Sequence, residues 1–431
     1  MGTRLFSFVR LLRPLRHVDF ALLWTGMTVS LLGDGIYAVA LAWQVYELSS
    51  DPASFALVGV AWTAPQVAFV LLGGVVTDRF ERRRVMIVGD LLRCGAVSAI
   101  AALCFAGELR LWHLFALVAV FGSGSALFNP AFTAIVPDIL TDDLLLPANS
   151  LDQVARPLAA RFVGPALGGW IVGVWGAGAG FLVDGISFVV SIVALLLISP
   201  RVRPARATAK PSLLADVREG VAYVRSQAWL LGTILSTAVG MLFFLGPIYV
   251  LVPFLVKLDL DGSASDLGLV LAAGGVGAIV ASLVVGTRDL PRRPVSTMFA
   301  AWAGAAFLLA GYGVANALWQ VVLLSAVGTA SLIVGQIVWS TLLQRLVPGP
   351  LLGRVSSLDW LLSFGLVPLS YALTGPVAEL LGVDTTFVVA GIASGGILVL
   401  TLLFFPGLRS VDEPPAAAPA PAPAQGPASG S

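Results

Sequence analysis

The sequence predicts an all-α membrane protein with twelve transmembrane helices arranged as two six-helix bundles. The 431 residues are 58% hydrophobic and only 11% charged, with a mean hydropathy of +0.94, which excludes a water-soluble globular domain. A helix needs about 20 apolar residues to cross the roughly 30 Å hydrocarbon core of a bilayer, and segments of that length recur along the chain. The longest polar interruption, 200–228, leaves six such segments on each side.

The twelve predicted spans have the length of membrane helices. Strands of a membrane barrel would be about half as long and would alternate between apolar and polar residues, which these segments do not. Short polar turns join most of the spans, so we expect consecutive helices to be antiparallel. In order, the predicted spans are 19–44, 54–77, 85–106, 111–136, 150–174, 177–199, 229–256, 266–286, 295–313, 317–340, 356–381 and 384–406.

The distribution of positive charge predicts that both termini are cytoplasmic. Of the 25 Lys and Arg residues, only Arg110 and Lys257 fall outside the predicted inner loops and inner helix ends. Cytoplasmic loops carry an excess of Lys and Arg, which orients this multi-pass protein in the cell membrane, the inner or plasma membrane. The basic segment 1–18 is then a cytoplasmic N-terminus. The segment 407–431 is rich in Pro, Ala, Gly and Ser and is predicted to be a disordered cytoplasmic tail.

The spans divide into two halves, 19–199 and 229–406, joined by the cytoplasmic linker 200–228. Within the linker, apolar residues recur at helical spacing and predict an amphipathic helix on the inner membrane surface. Ser357-Leu358-Asp359 repeats Ser150-Leu151-Asp152 at the loop entering the fifth span of each half. Parallel repeats related by an axis along the membrane normal are typical of one architecture of transporters.

A charged turn between the second and third spans joins two antiparallel helices and carries Asp78, Arg79 and 82–84. We expect Asp78 to accept hydrogen bonds from the free backbone amides at the start of the eleventh span, around Ser356 and Ser357. Inward opening would require that this contact break, so Asp78 would act as a conformational latch. The alternative, which is compatible with the first, is that the arginines only set the topology.

The same turn resembles the loop 2-3 signature of the major facilitator superfamily, Gly-x-x-x-Asp-Arg-x-Gly-Arg-Arg, at Gly74, Asp78, Arg79, Arg82 and Arg83. Glu81 stands where the signature has glycine, so the turn geometry is expected to differ there. The resemblance covers residues 15–406 and implies the major facilitator fold, in which the two bundles rock to give alternating access.

Further motifs resemble the branch of that superfamily that contains enterobactin exporters and Tap-like drug efflux pumps. This likeness is carried by Leu32-Gly33-Asp34, Asn129-Pro130-Ala131 and Leu146-Pro147-Ala148-Asn149. The core of the antiporter motif that marks exporters is similar too, without its outlying glycines, at Gly164, Pro165, Gly168 and Gly169. These residues provide either a hinge for rocking or a packing seam between helices.

Asp34 is the leading candidate for proton coupling. An acid inside a membrane helix costs about 2.5–3.5 kcal/mol on insertion scales, so its presence needs a reason. At about 1.5 Å per residue, Asp34 lies about fourteen residues into the first span and beyond the bilayer midplane. Burial there favours the protonated carboxyl, which would take up a proton from the outer side and release it inward. The alternative is a structural acid paired with a neighbouring helix.

Arg161 lies deep in the fifth span and needs a buried partner, for which Asp34 and Asp152 are the candidates. It serves either in coupling or substrate contact, or in a structural ion pair. Arg156 lies one turn after Asp152 and is expected to pair with it.

The remaining charged residues in the spans are predicted to be structural. Asp184, in the sixth span, is expected to make a structural hydrogen bond. Asp90 and Arg93, in the third span, are expected to lie near the inner surface and to brace the charged turn.

Seven polar or aromatic residues in the spans are candidates for lining a substrate cavity, with a lipid-facing or packing role as the alternative for each. They are Tyr37, Gln66, Asn129, Phe243, Tyr249, Gln336 and Trp339. A cavity that is aromatic and poor in charge favours a hydrophobic or amphipathic substrate, such as a drug, siderophore or natural product.

Residues for several other chemistries are missing from the sequence. A P-loop requires Gly-Lys followed by Ser or Thr, but Pro follows Lys210 and Leu follows Lys257. The two histidines, His17 and His113, lie on opposite sides of the predicted membrane, so neither a metal site nor a histidine-based catalytic pair is expected. The sequence therefore predicts no enzyme activity, no cofactor and no nucleic-acid partner.

These features together predict a secondary active exporter that moves a small molecule outward in exchange for protons. Its partners would be the substrate, protons and the lipid bilayer, and we expect a monomer. One alternative is an importer or facilitator of a small metabolite. Another is a non-transporting membrane sensor or scaffold that kept the bundle, although the retention of Asp34 and the charged turn argues against it.

Overall fold

The computed structural model describes residues 12–199, 213–286 and 290–412, without the side chains at 70–79 and at scattered positions elsewhere. The N-terminal half is a bundle of six helices. They are α1 (Val18–Leu48), α2 (Pro52–Arg79), α3 (Arg82–Phe105), α4 (Leu111–Ile139), α5 (Asp142–Arg156, then a π-helical segment Pro157–Val163, then Gly164–Trp175) and α6 (Ala177–Leu197).

The linker helix and the C-terminal half follow in the same manner. They comprise α7 (Leu213–Ser226), α8 (Ala228–Gly246, continued by Pro247–Leu251, Val252–Phe254 and Leu255–Asp259), α9 (Ala264–Gly286), α10 (Pro294–Tyr312), α11 (Leu318–Leu346), α12 (Gly349–Gly365 and Val367–Leu381) and α13 (Val383–Phe404).

Eleven helices in the described ranges are long and apolar enough to cross a membrane, which confirms an all-helical membrane protein. The predicted second span corresponds to α2, a helix of 28 residues whose last ten side chains lie outside the described ones. The twelfth crossing and the cytoplasmic position of the termini stay predictions. Most of the linker before α7 and nearly all of the predicted tail, 200–212 and 413–431, fall outside the described residues.

The fifth helix begins earlier than the sequence predicts, at Asp142 rather than near 150. Leu144, Ala148, Leu151 and Ala155 recur at helical spacing and are all buried. This amphipathic first part of α5 packs in the predicted cytoplasmic end of the N-terminal half. It was missed because its solvent-facing side is too polar for a membrane span.

The linker helix α7 confirms the predicted helix in the linker and rests on α12. Its Gly220 lies against Leu358 and Arg354, and Glu219 forms an ion pair with Arg354. Near the end of the described chain, Asp412 accepts hydrogen bonds from the first backbone amides of α10, those of Val295 and Ser296, at 2.8 and 2.9 Å. A carboxylate at a helix N-terminus satisfies free amides and stabilises the helix dipole.

The two halves contact each other mainly through α2 with α12 and through α5 with α9. One buried core contains residues from both halves and lies at the predicted outer end, with Val45 and Phe55 from one half and Leu251 and Leu267 from the other. At the opposite end the described residues form two separate cores, one from the N-terminal half and one from the C-terminal half together with the linker helix. Among the residues whose side chains are described, the shared core therefore joins the halves at the predicted outer end.

Candidate functional site

The joined outer end is held by contacts between α1 and α8. The hydroxyl of Tyr46, which is buried, donates a hydrogen bond to the carbonyl oxygen of Val250 at 2.6 Å. The ammonium of Lys257 donates to the carbonyl oxygen of Trp43 at 3.0 Å and lies 4.0 Å from the centre of the Trp43 ring. Glu47 adds a longer ion pair to Lys257 at 3.9 Å. These contacts cross from one half to the other.

The exporter-like motif lies in a packing seam, with all four of its residues buried. Gly164 and Gly168 face α1, whereas Gly169 faces α9. A Cβ added at Gly169 would lie 2.9 Å from the Cα of Gly268, so the two backbones approach as closely as only glycine allows. The hydroxyl of Ser265 donates to the Gly169 carbonyl at 3.1 Å. The motif thus places α5 between α1 and the other half; a hinge role for Gly164, Pro165 and their neighbours stays a prediction.

Two arginines of the charged turn fasten helices within the N-terminal half. Arg82 forms an ion pair with Asp138 at the end of α4. Arg83 donates to the carbonyl oxygens of Ile198 and Leu196 at 2.7 and 3.2 Å, at the end of α6. Cations favour the C-terminal end of a helix, where carbonyls lack partners. These arginines therefore tie the start of α3 to two other helices in addition to any effect on topology.

Glu81, where the signature has glycine, does not require a special backbone. Its φ and ψ are −58° and 118°, which any L-residue can adopt, and its carboxylate pairs with Arg84 at 2.7 Å. The side chains of Asp78, Arg79 and Ser357 and the surroundings of Gly74 lie outside what the structure describes, so the expected latch between Asp78 and α12 stays a proposal.

A cluster of ionisable side chains is buried between α1, α3 and α6. Asp90 forms an ion pair with Arg93 and accepts a hydrogen bond from Ser191 of α6 at 2.7 Å. The Arg93 guanidinium lies 4.4 and 4.5 Å from the ring centres of Phe128 and Phe188. The expectation that Asp90 and Arg93 brace the charged turn is therefore corrected. Both are buried and contact α6, because each charge finds partners only on the inner faces of the bundle.

Asp184 of α6 belongs to the same cluster and is 0% exposed. Ser187 donates to the Asp184 carbonyl oxygen at 2.7 Å and lies 3.3 Å from its carboxylate, which agrees with the predicted hydrogen bond. A Cβ added at Gly33 would collide with Oδ1 of Asp184. The Asp184 carboxylate therefore rests on the backbone of α1 immediately before Asp34.

Arg161 does not pair with either of its predicted partners. It is exposed on the π-helical segment of α5, and among the described residues it has no hydrogen-bond or ion-pair partner. Asp152 pairs instead with Arg156 at 2.7 Å, as predicted. The charged groups that interact electrostatically with Asp34 are Arg93, Asp90 and Arg156. The ion pair was predicted wrongly because the sequence does not reveal which helix faces meet.

Two of the seven cavity candidates are buried in helix packing. Tyr37 is 3% exposed and stacks on Phe121 at 4.5 Å, and Trp339 is 3% exposed and donates its indole hydrogen to Asp359 at 3.0 Å. For these two the packing alternative is correct. The other five keep exposed surface in whole or in part: Gln66, Asn129, Phe243, Tyr249 and Gln336.

Sequence reasoning missed an apolar recess in the C-terminal half. It is a small cavity of about 30 Å³ between α8, α10, α11 and α13. Met241, Phe244, Trp302 and Leu332 are among its lining residues. Four of the lining residues come from α8 and one or two from each of the other three helices, so no local motif marks the site. No group of three or more His, Cys, Asp or Glu that could hold a metal ion occurs in the described part of the chain.

Comparison with known proteins gives relatives over nearly the whole chain. The family model for transmembrane secretion effectors matches residues 10–425. Macrolide efflux protein A of Streptococcus pyogenes is 22% identical over 377 residues, covering 87% of this chain and 93% of that protein. Multidrug efflux pump Tap of Mycolicibacterium fortuitum is 26% identical over 411 residues, covering 93% and 97%.

Solved structures show the same fold at low identity. The nucleoside transporter NupG matches with a TM-score of 0.66 and 12% identity, covering 88% of this chain and 100% of that one. A bacterial homologue of the iron transporter ferroportin, solved in an inward-facing state, matches with a TM-score of 0.66 and 18% identity, covering 92% and 99%. The relatives are transporters and not enzymes. With its apolar helices and these matches, the chain is a multi-pass cell-membrane protein of the major facilitator superfamily, and it belongs to the transmembrane secretion effector family.

Proposed function

We propose that this chain is a secondary active exporter, which exchanges protons for a hydrophobic or amphipathic small molecule by alternating access. The observation that carries the proposal is the arrangement of the halves, which approach each other through glycine-lined contacts and, among the described side chains, share a buried core at the predicted outer end. A buried carboxyl at Asp34 and the efflux function named for two relatives support the outward direction and the coupling ion.

The lining of the apolar recess favours contact with an apolar group of the substrate. Its Met, Phe, Trp and Leu side chains offer dispersion contacts and few polar ones, which suits a drug or natural product of the kind that macrolide and multidrug pumps move. A siderophore remains within the proposal as an amphipathic substrate. Arg161, exposed and unpaired among the described side chains, is a candidate contact for a polar group of such a molecule.

The proposed latch fits the same cycle. Asp78 and the start of α12 lie at the predicted cytoplasmic end, where the two halves have separate cores. The latch would form when that end closes and the outer contacts of Tyr46 and Lys257 release. We propose that the transporter carries out this cycle as a monomer.

Transport into everted membrane vesicles tests the proposal. A labelled macrolide and a lipophilic cationic dye should accumulate when the vesicle interior is acidified, and accumulation should collapse when a protonophore is added. Asp34→Asn should lose the response to acid, whereas Asp261→Asn should keep it, because Asp261 is exposed in a predicted outer loop and its positive φ of 50° suits asparagine. Accumulation in the opposite direction would favour the importer. Binding that alters cysteine accessibility without flux would favour the sensor.

A further inference from the structure

Three buried oxygen atoms lie together at the contact of α1 and α6. Among the described residues, Oδ1 of Asp34, Oδ2 of Asp184 and the hydroxyl of Tyr37 are buried without a hydrogen-bond partner. Gly33 and Tyr37 are four residues apart and so lie on one face of α1, and this face meets α6. Tyr37 contacts Phe181 there, with ring centres 5.8 Å apart, and Gly33 contacts Asp184 one turn further along α6.

The charges around this point do not balance. Arg93 already pairs with Asp90, and Arg156 already pairs with Asp152. The Asp184 carboxylate lies against Gly33, the residue before Asp34, so two carboxyls without a cation of their own are left at this contact of α1 and α6. In a medium of low dielectric, two ionised carboxylates without a cation are unfavourable, and one shared proton removes the repulsion.

We propose that Asp34 and Asp184 form one proton-binding site, in which the two carboxyls together hold a single proton beside the buried hydroxyl of Tyr37. This inference rests on the proposed proton-coupled export. Asp184, which the sequence predicts to be structural, becomes the inner member of the pair, because it is 0% exposed. Asp34 retains some exposed surface and is the member through which the proton enters and leaves. The other charged groups that reach the pair are Asp90 and Arg93 on α3 and Arg156 on α5.

The site explains how proton binding affects the helices. Loss of the shared proton restores the repulsion between a carboxyl on α1 and one on α6, and this pushes the two helices apart. The joined outer end depends on the position of α1, which carries Tyr46. Deprotonation would therefore act on the same helix that holds the halves together.

Purified protein in liposomes, with a labelled macrolide as substrate, tests the inference through two modes of transport. One mode is driven by a pH gradient, and the other is exchange of labelled for unlabelled substrate without a gradient. We expect Asp34→Asn and Asp184→Asn each to lower gradient-driven transport by about tenfold or more, as when a proton-transferring group is removed. Exchange should persist in both. The double variant should be no worse than either single variant, because the two residues act as a unit.

A conservative variant and two controls complete the experiment. Asp184→Glu should keep gradient-driven transport with a displaced pH dependence, which a purely structural role would not produce. Asp261→Asn should stay within about twofold of the wild type, as expected for a surface substitution. Thermal unfolding in detergent identifies variants that fail to fold. If Asp184→Asn fails to fold, the pH dependence of transport by Asp184→Glu tests the role of Asp184 instead.

Several outcomes would overturn the inference. A wild-type pH profile in Asp184→Asn would exclude Asp184 from the site. Parallel loss of exchange and gradient-driven transport in both Asp184 variants would make it structural. Transport driven equally by a sodium gradient would show that the ligand is not a proton. If wild-type protein moves substrate but ignores the pH gradient, the proposed antiport is wrong and the proton site with it.

Discussion

Replacement of Tyr46 by Phe should shift the two halves toward opening at the predicted outer end. The Tyr46 hydroxyl and the Val250 carbonyl are both buried when the halves are closed and are 2.6 Å apart. Removal of the hydroxyl deletes this buried hydrogen bond, at a cost of about 0.5–1.5 kcal/mol. In the open form water can reach both groups, so the cost falls on the closed form alone. The equilibrium should move by about 2- to 13-fold toward the open form.

Labelling of a single cysteine at Ala53 measures this shift. Ala53 lies at the start of α2, where a Cβ added at Gly375 of α12 would collide with it. Separation of the halves should therefore speed its reaction with a membrane-impermeant maleimide added from outside. The native cysteines, Cys94 and Cys104, would be replaced by serine in every variant.

Tyr312→Phe is the matched control. Tyr312 is a buried tyrosine that hydrogen-bonds with Ser325, and both residues lie in the C-terminal half. Its loss should lower thermal stability without a change in labelling at Ala53. The reasoning fails if Tyr46→Phe leaves the labelling rate unchanged, or if Tyr312→Phe raises it equally.

Three further outcomes follow from the contacts. Lys257→Met should increase labelling at the same position, since it removes a hydrogen bond and a cation–π contact worth about 0.5–2 kcal/mol. Arg93→Leu should lower the free energy of unfolding by about 3–5 kcal/mol, because Asp90 is left charged and buried, and thermal unfolding in detergent would show it. Gly169→Val should abolish transport while membrane insertion persists, since the valine side chain would collide with Gly268. The measurement is substrate flux normalised to the amount of inserted protein, and an unchanged flux would contradict the prediction.

Local features of the sequence predicted local features of the structure. Apolar runs gave the helices, because a segment in lipid must satisfy its own backbone. The pair of Asp152 and Arg156 was predictable from its spacing of four residues, since such side chains are neighbours on a helix. The helix within the linker was likewise visible from its periodicity.

Contacts between helices could not be read from the chain. Asp184, Asp90 and Asp34 are far apart in sequence, and their proximity depends on the faces that α1, α3 and α6 present to one another. The same limit explains Arg161, which lies on a π-helical segment that begins at Pro157. A π-helical segment changes the direction of the side chains that follow it, so spacing along an ideal helix misplaced this guanidinium.

The proposed proton pair and the apolar recess lie in different halves, and this arrangement constrains the mechanism of coupling. A proton on Asp34 and a substrate between α8 and α13 cannot compete for the same atoms, so each must act by favouring one arrangement of the halves. Asp34 and Tyr46 are twelve residues apart on α1, about three helical turns, so a shift of that helix moves both. A change at Tyr46 should therefore alter the proton concentration that is needed for transport, even though Tyr46 binds neither the proton nor the substrate. That dependence separates coupling through the conformation from direct exchange of proton and substrate at one site.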